Sequence, residues 1–186
     1  LLRAERVALN FLQRLSGVAT ATSLYASRIA AHGTKLLDTR KTTPLLRVLE
    51  KYAVRVGGGA NHRFSLSDGI LIKENGIRVA GGIAPAVAAA RSAAHHLLRV
   101  EVEAETLPDV EAAVAAGADA VLLDNMPPSM VREAVARFGG IVFLEASGGI
   151  HLGNVEEYAR TGVAAIAVGA ITHSAPAFDI SFELST

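Results

Sequence analysis

The sequence predicts a parallel α/β barrel of about six to seven strands with a leading helical segment. From Lys35 onward, short apolar runs alternate with amphipathic stretches, and no long linker separates them. The runs are rich in Val, Ile and Leu, as strands covered on both faces are. Strands that alternate with helices favour a parallel sheet with right-handed crossovers. At 186 residues the chain is short for eight βα units, so six or seven are expected, with a doubly wound open sheet as the second choice.

Residues 1–31 are predicted to form the leading helices of one domain that spans residues 1–186. Val7, Phe11 and Leu15 are spaced as on one helix face, and Gly17 is placed to end that helix. A second helix is expected over residues 19–31. The chain is long enough for one buried core and short for two domains.

Seven strand-length runs follow the leading helices. In order, they are KLLDT (35–39), YAVRV (52–56), GILIK (69–73), LLRVEVE (97–103), DAVLLDN (119–125), IVFLEAS (141–147) and AAIAVGA (164–170). Prolines near helix starts and glycines just past helix ends mark helices between these runs. The predicted helices cover residues 44–52, 83–95, 108–116, 128–138 and 154–161.

Composition limits the partners that the chain can attract. Lys plus Arg equals Asp plus Glu, at 18 each, so no net charge attracts nucleic acid or an anionic membrane. The absence of cysteine excludes disulfides, thiolate metal ligands and a cysteine nucleophile. No apolar run reaches the roughly 18 residues of a membrane span, and the first residues lack a signal-peptide pattern. These features favour the cytoplasm.

Nearly every predicted strand ends in residues that can bind ligands or carry out chemistry. Because the carboxyl ends of parallel strands meet at one edge, these residues should converge. The endings are Asp38-Thr39-Arg40-Lys41, Lys73-Glu74-Asn75, Glu103, Asp124-Asn125, Glu145 to Gly149, and Gly169-Ala170. Four cations, Arg40, Lys41, Arg63 and Lys73, would share this rim with Glu103 and Asp124. Such a site suits a ligand with several anionic groups plus sugar hydroxyls or Mg²⁺.

The last two strand endings, SGG and VGA, favour a phosphate site. In barrels, the final two strands commonly hold a phosphate through backbone N–H groups, which small residues allow to approach closely. His173 follows at once and could add a donor. On the preceding LLRVEVE strand, period-2 spacing predicts that Arg99 and Glu101 form a salt-bridged layer inside the barrel, which leaves Glu103 as the site candidate.

Several motifs, in this order, resemble the quinolinate phosphoribosyltransferase family over almost the whole chain. They are LDTRKTTP, KYAVRVGGGANHR, LIKEN, VEVE, VLLDN, SGGI and AVGAITHS. The resemblance implies a pentosyltransferase that converts quinolinate and phosphoribosyl pyrophosphate into nicotinate mononucleotide, pyrophosphate and CO₂ in NAD biosynthesis. It also implies a requirement for Mg²⁺.

The resemblance further implies roles for individual residues. Arg40, His62, Arg63 and Lys73 would line the quinolinate and pyrophosphate sites, with Thr39 and Lys41 beside them. Glu103 and Asp124 would meet the ribose hydroxyls directly or through Mg²⁺, and with Lys41 and Lys73 they form the predicted catalytic set. The 5′-phosphate would be held by Ser147, Gly148, Gly149, Val168, Gly169 and Ala170. The segment AERVALN matches one from which the family's arginine, here Arg6, enters a neighbouring subunit's site, which implies a homodimer or larger homo-oligomer.

Two departures from the family pattern, and three competing functions, stay open on the sequence alone. Family members carry an N-terminal domain of roughly a hundred residues, absent from this chain, which would leave the site without a wall. The family's usual Asp-Asn-His is here Glu74-Asn75-Gly76. A related barrel of molybdenum-transport operons has nearly the same motifs. The residues would also suit a Schiff-base aldolase that uses Lys73, or a non-catalytic ligand-binding or assembly barrel.

Overall fold

The structure of the chain, a computed structural model, describes residues 2–183 and contains one six-stranded parallel sheet. The remaining residues of the predicted domain, 1 and 184–186, lie outside this range. The strands are β1 (Lys35–Leu37), β2 (Ile70–Ile72), β3 (Val100–Ala104), β4 (Ala120–Asp124), β5 (Phe143–Ser147) and β6 (Ala165–Ala167). Their order in the sheet is β1-β6-β5-β4-β3-β2.

The pairing order is that of a singly wound barrel. Strands β2 to β6 are neighbours in chain order, and β1 then pairs with β6, which joins the first strand to the last. At the seam between β1 and β2, Ala60 forms a parallel bridge with Leu37, and its N–H donates to Leu36 O at 2.8 Å. The structure confirms the predicted α/β barrel and gives six strands, within the predicted six to seven.

Helices cover the outside of the sheet. They are α1 (Leu2–Ile29), α2 (Arg47–Val56), α3 (Glu74–Ala80), α4 (Ile83–Ala93), α5 (Leu107–Ala115), α6 (Pro128–Phe138), α7 (Val155–Ala159) and α8 (Ala170–His173), with a 3-10 turn at Ala30–His32. The predicted leading helical segment is present. The helix predicted at 128–138 has the predicted bounds, and those predicted at 83–95, 108–116 and 154–161 differ by one or two residues at their ends.

The predicted break at Gly17 is wrong, because α1 continues through it as one helix. Glycine is required there by contact and not by a turn. A Cβ at Gly17 would lie 1.9 Å from Pro176 O, so the C-terminal segment packs directly on the helix backbone. Glycine occurs both at helix ends and where another backbone packs closely on a helix, so the sequence alone does not distinguish the two cases.

The predicted strand at residues 52–56 is also wrong, because this segment is the second half of α2. Ala53 and Val54 are buried while Tyr52 and Val56 are exposed, which is the spacing of a helix face and not of a strand. The helix begins at Arg47 and not at the predicted residue 44. Leu45, with φ at +65°, has a backbone conformation that an α-helix excludes.

Helix α3 was not predicted, and the exposure of its residues explains why. None of its residues is buried, so no apolar stripe marks it in the sequence. The core lies instead between the sheet and the other helices, where Val100, Val121, Leu144 and Ile166 are fully or almost fully buried. Within the described residues, no helix combines the length and apolar character that crossing a membrane requires.

Candidate active site

A cavity of about 350 Å³ opens at the carboxyl ends of the strands. Nine of the predicted site residues line it: Thr39, Arg40, Lys41, His62, Arg63, Lys73, Glu103, Asp124 and Ser147. A larger hollow of about 560 Å³ lies between α1 and residues 57–60, but Lys35 is the one charged residue in its lining. The converging charges therefore identify the smaller cavity as the candidate active site.

Three cations of this cavity have no carboxylate partner within residues 2–183. Arg40, Lys41 and Arg63 take part in none of the ion pairs of this part of the chain. Arg63 donates one guanidinium hydrogen to Gly69 O at 2.7 Å. Burial and the nearby Arg40 lower the pKa of Arg63. Adjacent guanidinium groups repel each other, so an anion bound between them would be favoured.

The fourth cation, Lys73, forms an ion pair with Glu103 across the mouth of the cavity. The Lys73 side chain is 60% exposed, whereas that of Glu103 is 12% exposed. An ion pair with one solvated partner contributes little stability, so Lys73 or Glu103 can give up this contact to bind a charged ligand. A Schiff-base lysine is activated by desolvation, and the exposed, ion-paired Lys73 lacks that environment.

Asp38 has a structural role at the base of the cavity. It is fully buried, forms an ion pair with Lys51, and accepts hydrogen bonds from His62 N at 2.9 Å and Asn61 Nδ2 at 2.6 Å. Lys51 Nζ also donates to His62 O at 2.9 Å. The Asp38 network therefore fixes residues 61–62 against the end of β1 and sets the position of His62.

The predicted phosphate-binding residues lie around the end of β5 and the start of α8. Gly148 and Gly149 have φ of +87° and +64°, and a Cβ at Gly148 would lie 2.3 Å from Asn125 Oδ1, so only glycine fits. Just before α8, a Cβ at Gly169 would lie 3.1 Å from both Lys41 Cδ and His173 Cδ2, so a larger residue there would crowd these two side chains.

Of the predicted phosphate site, Ser147 lines the cavity, and Gly148, Gly149, Val168, Gly169, Ala170 and His173 flank it without being part of its lining. Val168 is 1% exposed, so its side chain belongs to the core and its backbone is what a ligand could contact. Thr172 Oγ1 donates to Lys41 O at 2.8 Å, which ties the start of α8 to the loop after β1.

Sequence reasoning missed the roles of two glutamates at the base of the cavity. Glu145 is 2% exposed and lines the cavity, and Glu101 Oε2 lies 3.2 Å from His62 Nε2. The predicted Arg99–Glu101 layer is wrong: Arg99 is exposed and precedes β3, and Glu101 pairs with His62 instead. Burial, the negative Glu101 and Asp38 raise the pKa of Glu145 to about 8, against the opposing effect of His62.

Arg6 lies on α1, is exposed, and is not among the residues that line the cavity. Its neighbours on the same helix, Val7, Phe11 and Leu12, are 58%, 42% and 53% exposed. The stripe that predicted a buried helix face is thus largely uncovered at this end of α1.

Comparison with known proteins points to one family. A family model described as "Quinolinate phosphoribosyl transferase, C-terminal domain" matches residues 18–183. The chain is 49% identical over 185 residues to the probable nicotinate-nucleotide pyrophosphorylase [carboxylating] of Bacillus subtilis, covering 100% of this chain and 64% of that protein. The human nicotinate-nucleotide pyrophosphorylase [carboxylating] is 43% identical over 190 residues, covering 99% of this chain and 64% of that protein.

Solved structures agree with the sequence comparison. The nicotinate-nucleotide pyrophosphorylase from Francisella tularensis superimposes with a TM-score of 0.94 at 50% identity, covering 97% of this chain and 64% of that chain. The chain therefore spans somewhat less than two thirds of the length of these relatives.

Proposed function

We infer the function from one established premise: this chain belongs to the quinolinate phosphoribosyl transferase family and corresponds to its C-terminal domain. We propose that the protein transfers a phosphoribosyl group from phosphoribosyl pyrophosphate to the ring nitrogen of quinolinate. Loss of the ring's 2-carboxyl group as CO₂, with a proton taking its place at C2, then gives nicotinate mononucleotide, with pyrophosphate as the other product. The names of the relatives support this activity over that of a molybdenum-operon barrel.

The observation that supports the proposal most strongly is that three cavity cations, Arg40, Lys41 and Arg63, have no carboxylate partner within residues 2–183, while the fourth, Lys73, has a weak and solvated pair with Glu103. Both substrates are polyanions, and guanidinium groups bind carboxylates in a bidentate geometry. Arg40 and Arg63 are the proposed partners of the quinolinate carboxylates, and Lys41 and Lys73 those of pyrophosphate. The same cations would accommodate the electron density that decarboxylation leaves on the ring.

The two carboxylates at the cavity, Glu103 and Asp124, suit the other half of the reaction. Ribosyl transfer passes through an oxocarbenium-like state, and carboxylates stabilise its developing positive charge. Their oxygens are also the ligand type that Mg²⁺ takes, directly or through water. We propose that Mg²⁺, bound with phosphoribosyl pyrophosphate, screens the phosphate charges there. Ser147 to Gly149 and Val168 to Ala170 would hold the 5′-phosphate through backbone N–H groups.

The activity is tested by incubating the protein with quinolinate, phosphoribosyl pyrophosphate and Mg²⁺ and detecting products by mass spectrometry. Nicotinate mononucleotide and pyrophosphate should appear together and depend on each substrate. Binding of both substrates without product would support the non-catalytic alternative and contradict the proposal.

Replacing Arg40 and Arg63 by Lys, one at a time, should raise KM for quinolinate by about tenfold or more, although the charge is kept. A lysine ammonium is a point charge and cannot reproduce the bidentate contact. Steady-state kinetics at saturating phosphoribosyl pyrophosphate measures the change. The control is Arg55→Lys, which changes an exposed arginine on α2 that is not among the residues lining the cavity. Parent-like kinetics in both cavity variants would reject the bidentate role.

We propose further that Arg6 acts in the site of a second subunit of a homodimer. Support comes from the exposed Arg6 and from the uncovered Val7, Phe11 and Leu12 beside it, which a partner surface would bury. In a two-fold dimer, α1 of each subunit would contact the cavity of the other subunit.

Mixing two inactive variants tests the exchange of Arg6 between subunits. Homodimers of Arg6→Ala and of Glu103→Ala should each be nearly inactive. After dissociation and random reassortment about half the dimers are mixed, each with one intact site, so roughly a quarter of the parent activity should return. No recovery, with subunit exchange verified by mass spectrometry of tagged chains, would mean that Arg6 does not act in trans.

A further inference from the structure

Glu145 presents an unsatisfied oxygen at the floor of the cavity. Among the described residues, its Oε1 is the one fully buried side-chain oxygen or nitrogen without a hydrogen-bond partner. Its register neighbours, Leu122 on β4 and Ala165 on β6, are apolar and supply no donor. A buried carboxylate left in this way is costly, so either a proton or a cation must accompany it.

The charged groups that face Glu145 are His62, Glu101 and Asp38. His62 Nε2 lies 3.6 Å from Glu145 Oε1 and 3.2 Å from Glu101 Oε2, so Glu101 is the nearer acceptor for the single hydrogen of a neutral ring. Lys51 already neutralises Asp38. One oxygen or nitrogen from each of His62, Glu101 and Glu145 lies within 4.8 Å of the others, a spacing that a metal ion could also use.

The other ring nitrogen of His62 decides between a proton and a metal. Nδ1 lies 2.7 Å from the backbone N of Arg63, which always carries a hydrogen, so Nδ1 is an acceptor and the ring hydrogen is on Nε2. A metal at the cluster needs the Nε2 lone pair, and that requires moving the hydrogen to Nδ1, against the Arg63 amide. The Glu101 carboxylate raises the pKa of His62, yet a second ring proton would meet the same amide hydrogen. The geometry therefore favours a proton on Glu145.

We propose that Glu145 is a ligand-binding residue of the cavity floor that works as a neutral carboxylic acid. Its proton leaves Glu101 as the single negative charge beside His62, which allows a dianionic pyridine dicarboxylate to bind above them. The identity of this ligand rests on the proposed function. Deprotonation of Glu145 places a second charge beneath the ligand and weakens its binding.

The first test is an infrared titration of the protein in ²H₂O. At neutral pH the parent should show the C=O band of one buried carboxylic acid, which disappears at about pH 9 and above. The band should be missing from Glu145→Gln and present in Glu105→Gln, which removes an exposed carboxylate just beyond β3. A parent without this band overturns the proposal, even if Glu145→Gln fails to fold. A divalent metal bound at one per chain and lost in Glu145→Gln also overturns it.

The second test is calorimetric binding of quinolinate, which is fully ionised above about pH 6.5. Affinity for the parent should fall between about pH 7 and pH 9, by up to about tenfold, the limit that the titration of one group sets over this range. Glu145→Gln, which keeps the neutral shape, should largely lose this dependence, whereas Glu105→Gln should keep it. Quinolinate binding with the same pH dependence in parent and Glu145→Gln overturns the role of Glu145 alone and assigns the titration to another group, such as His62. Failure to bind at any pH overturns the proposed acceptor and this role with it.

Discussion

Replacing Glu103 by Gln is expected to lower kcat by about 10²- to 10³-fold while KM for quinolinate changes by less than about threefold. The negative charge is needed chiefly when positive charge develops on the ribose, so its loss affects the transition state more than the bound substrates. Glu103 is well placed for this role because its side chain is 12% exposed and lines the cavity. Steady-state kinetics with each substrate varied in turn measures the two constants.

Glu105→Gln is the matched control for Glu103→Gln. Glu105 lies two residues after Glu103 and directly follows β3, is exposed, and is not among the residues that line the active-site cavity. Its kinetics should resemble those of the parent. A Glu103→Gln variant that loses quinolinate affinity in proportion to kcat would show that Glu103 holds the acceptor and not the transition state.

Replacing Lys51 by Met should lower the free energy of unfolding by about 3–5 kcal/mol. The side chains of Lys51 and Asp38 are 4% and 0% exposed, and Met replaces the apolar stem of Lys but leaves the Asp38 charge buried without its partner. The variant also removes the donor to His62 O. Chemical denaturation followed by circular dichroism measures the loss.

Arg78→Met provides the comparison for Lys51→Met, because it breaks an ion pair with Glu74 whose side chains are 74% and 64% exposed. Such a solvated pair contributes little, so this variant should unfold nearly as the parent does. An equally small effect for Lys51→Met would mean that the Asp38 network does not hold the base of the site.

Much of the candidate site could be predicted from the sequence because parallel strands share one functional edge. Glu103 and Asp124 lie at or next to the ends of buried apolar runs. The strand prediction alone therefore places both residues at the carboxyl edge of the sheet. The composition of a segment does not by itself decide whether it forms a strand or a helix. Residues 52–56 have the β-branched and aromatic content of a strand, and contacts with α1 and α8, which the local sequence does not reveal, favour the helix.

The base of the cavity could not be predicted in the same way. Glu145 was visible as part of a strand ending, but its unpaired oxygen depends on what faces it from elsewhere in the barrel. Glu101 and His62 come from β3 and from the loop before β2, and no periodicity in the chain links them to β5. Likewise, Asp38 reads as a candidate active-site acid until its partners Lys51 and Asn61 are known.

The most direct measurement of the proposed activity uses quinolinate labelled with ¹³C at either carboxyl group. With phosphoribosyl pyrophosphate and Mg²⁺ present, label at the 2-carboxyl should appear in CO₂, and label at the 3-carboxyl should remain in nicotinate mononucleotide. Pyrophosphate should form in equal amount, and omission of phosphoribosyl pyrophosphate should abolish CO₂ release. Release of CO₂ without phosphoribosyl pyrophosphate, or a nucleotide that keeps both labels, would contradict coupled phosphoribosyl transfer and decarboxylation at this site.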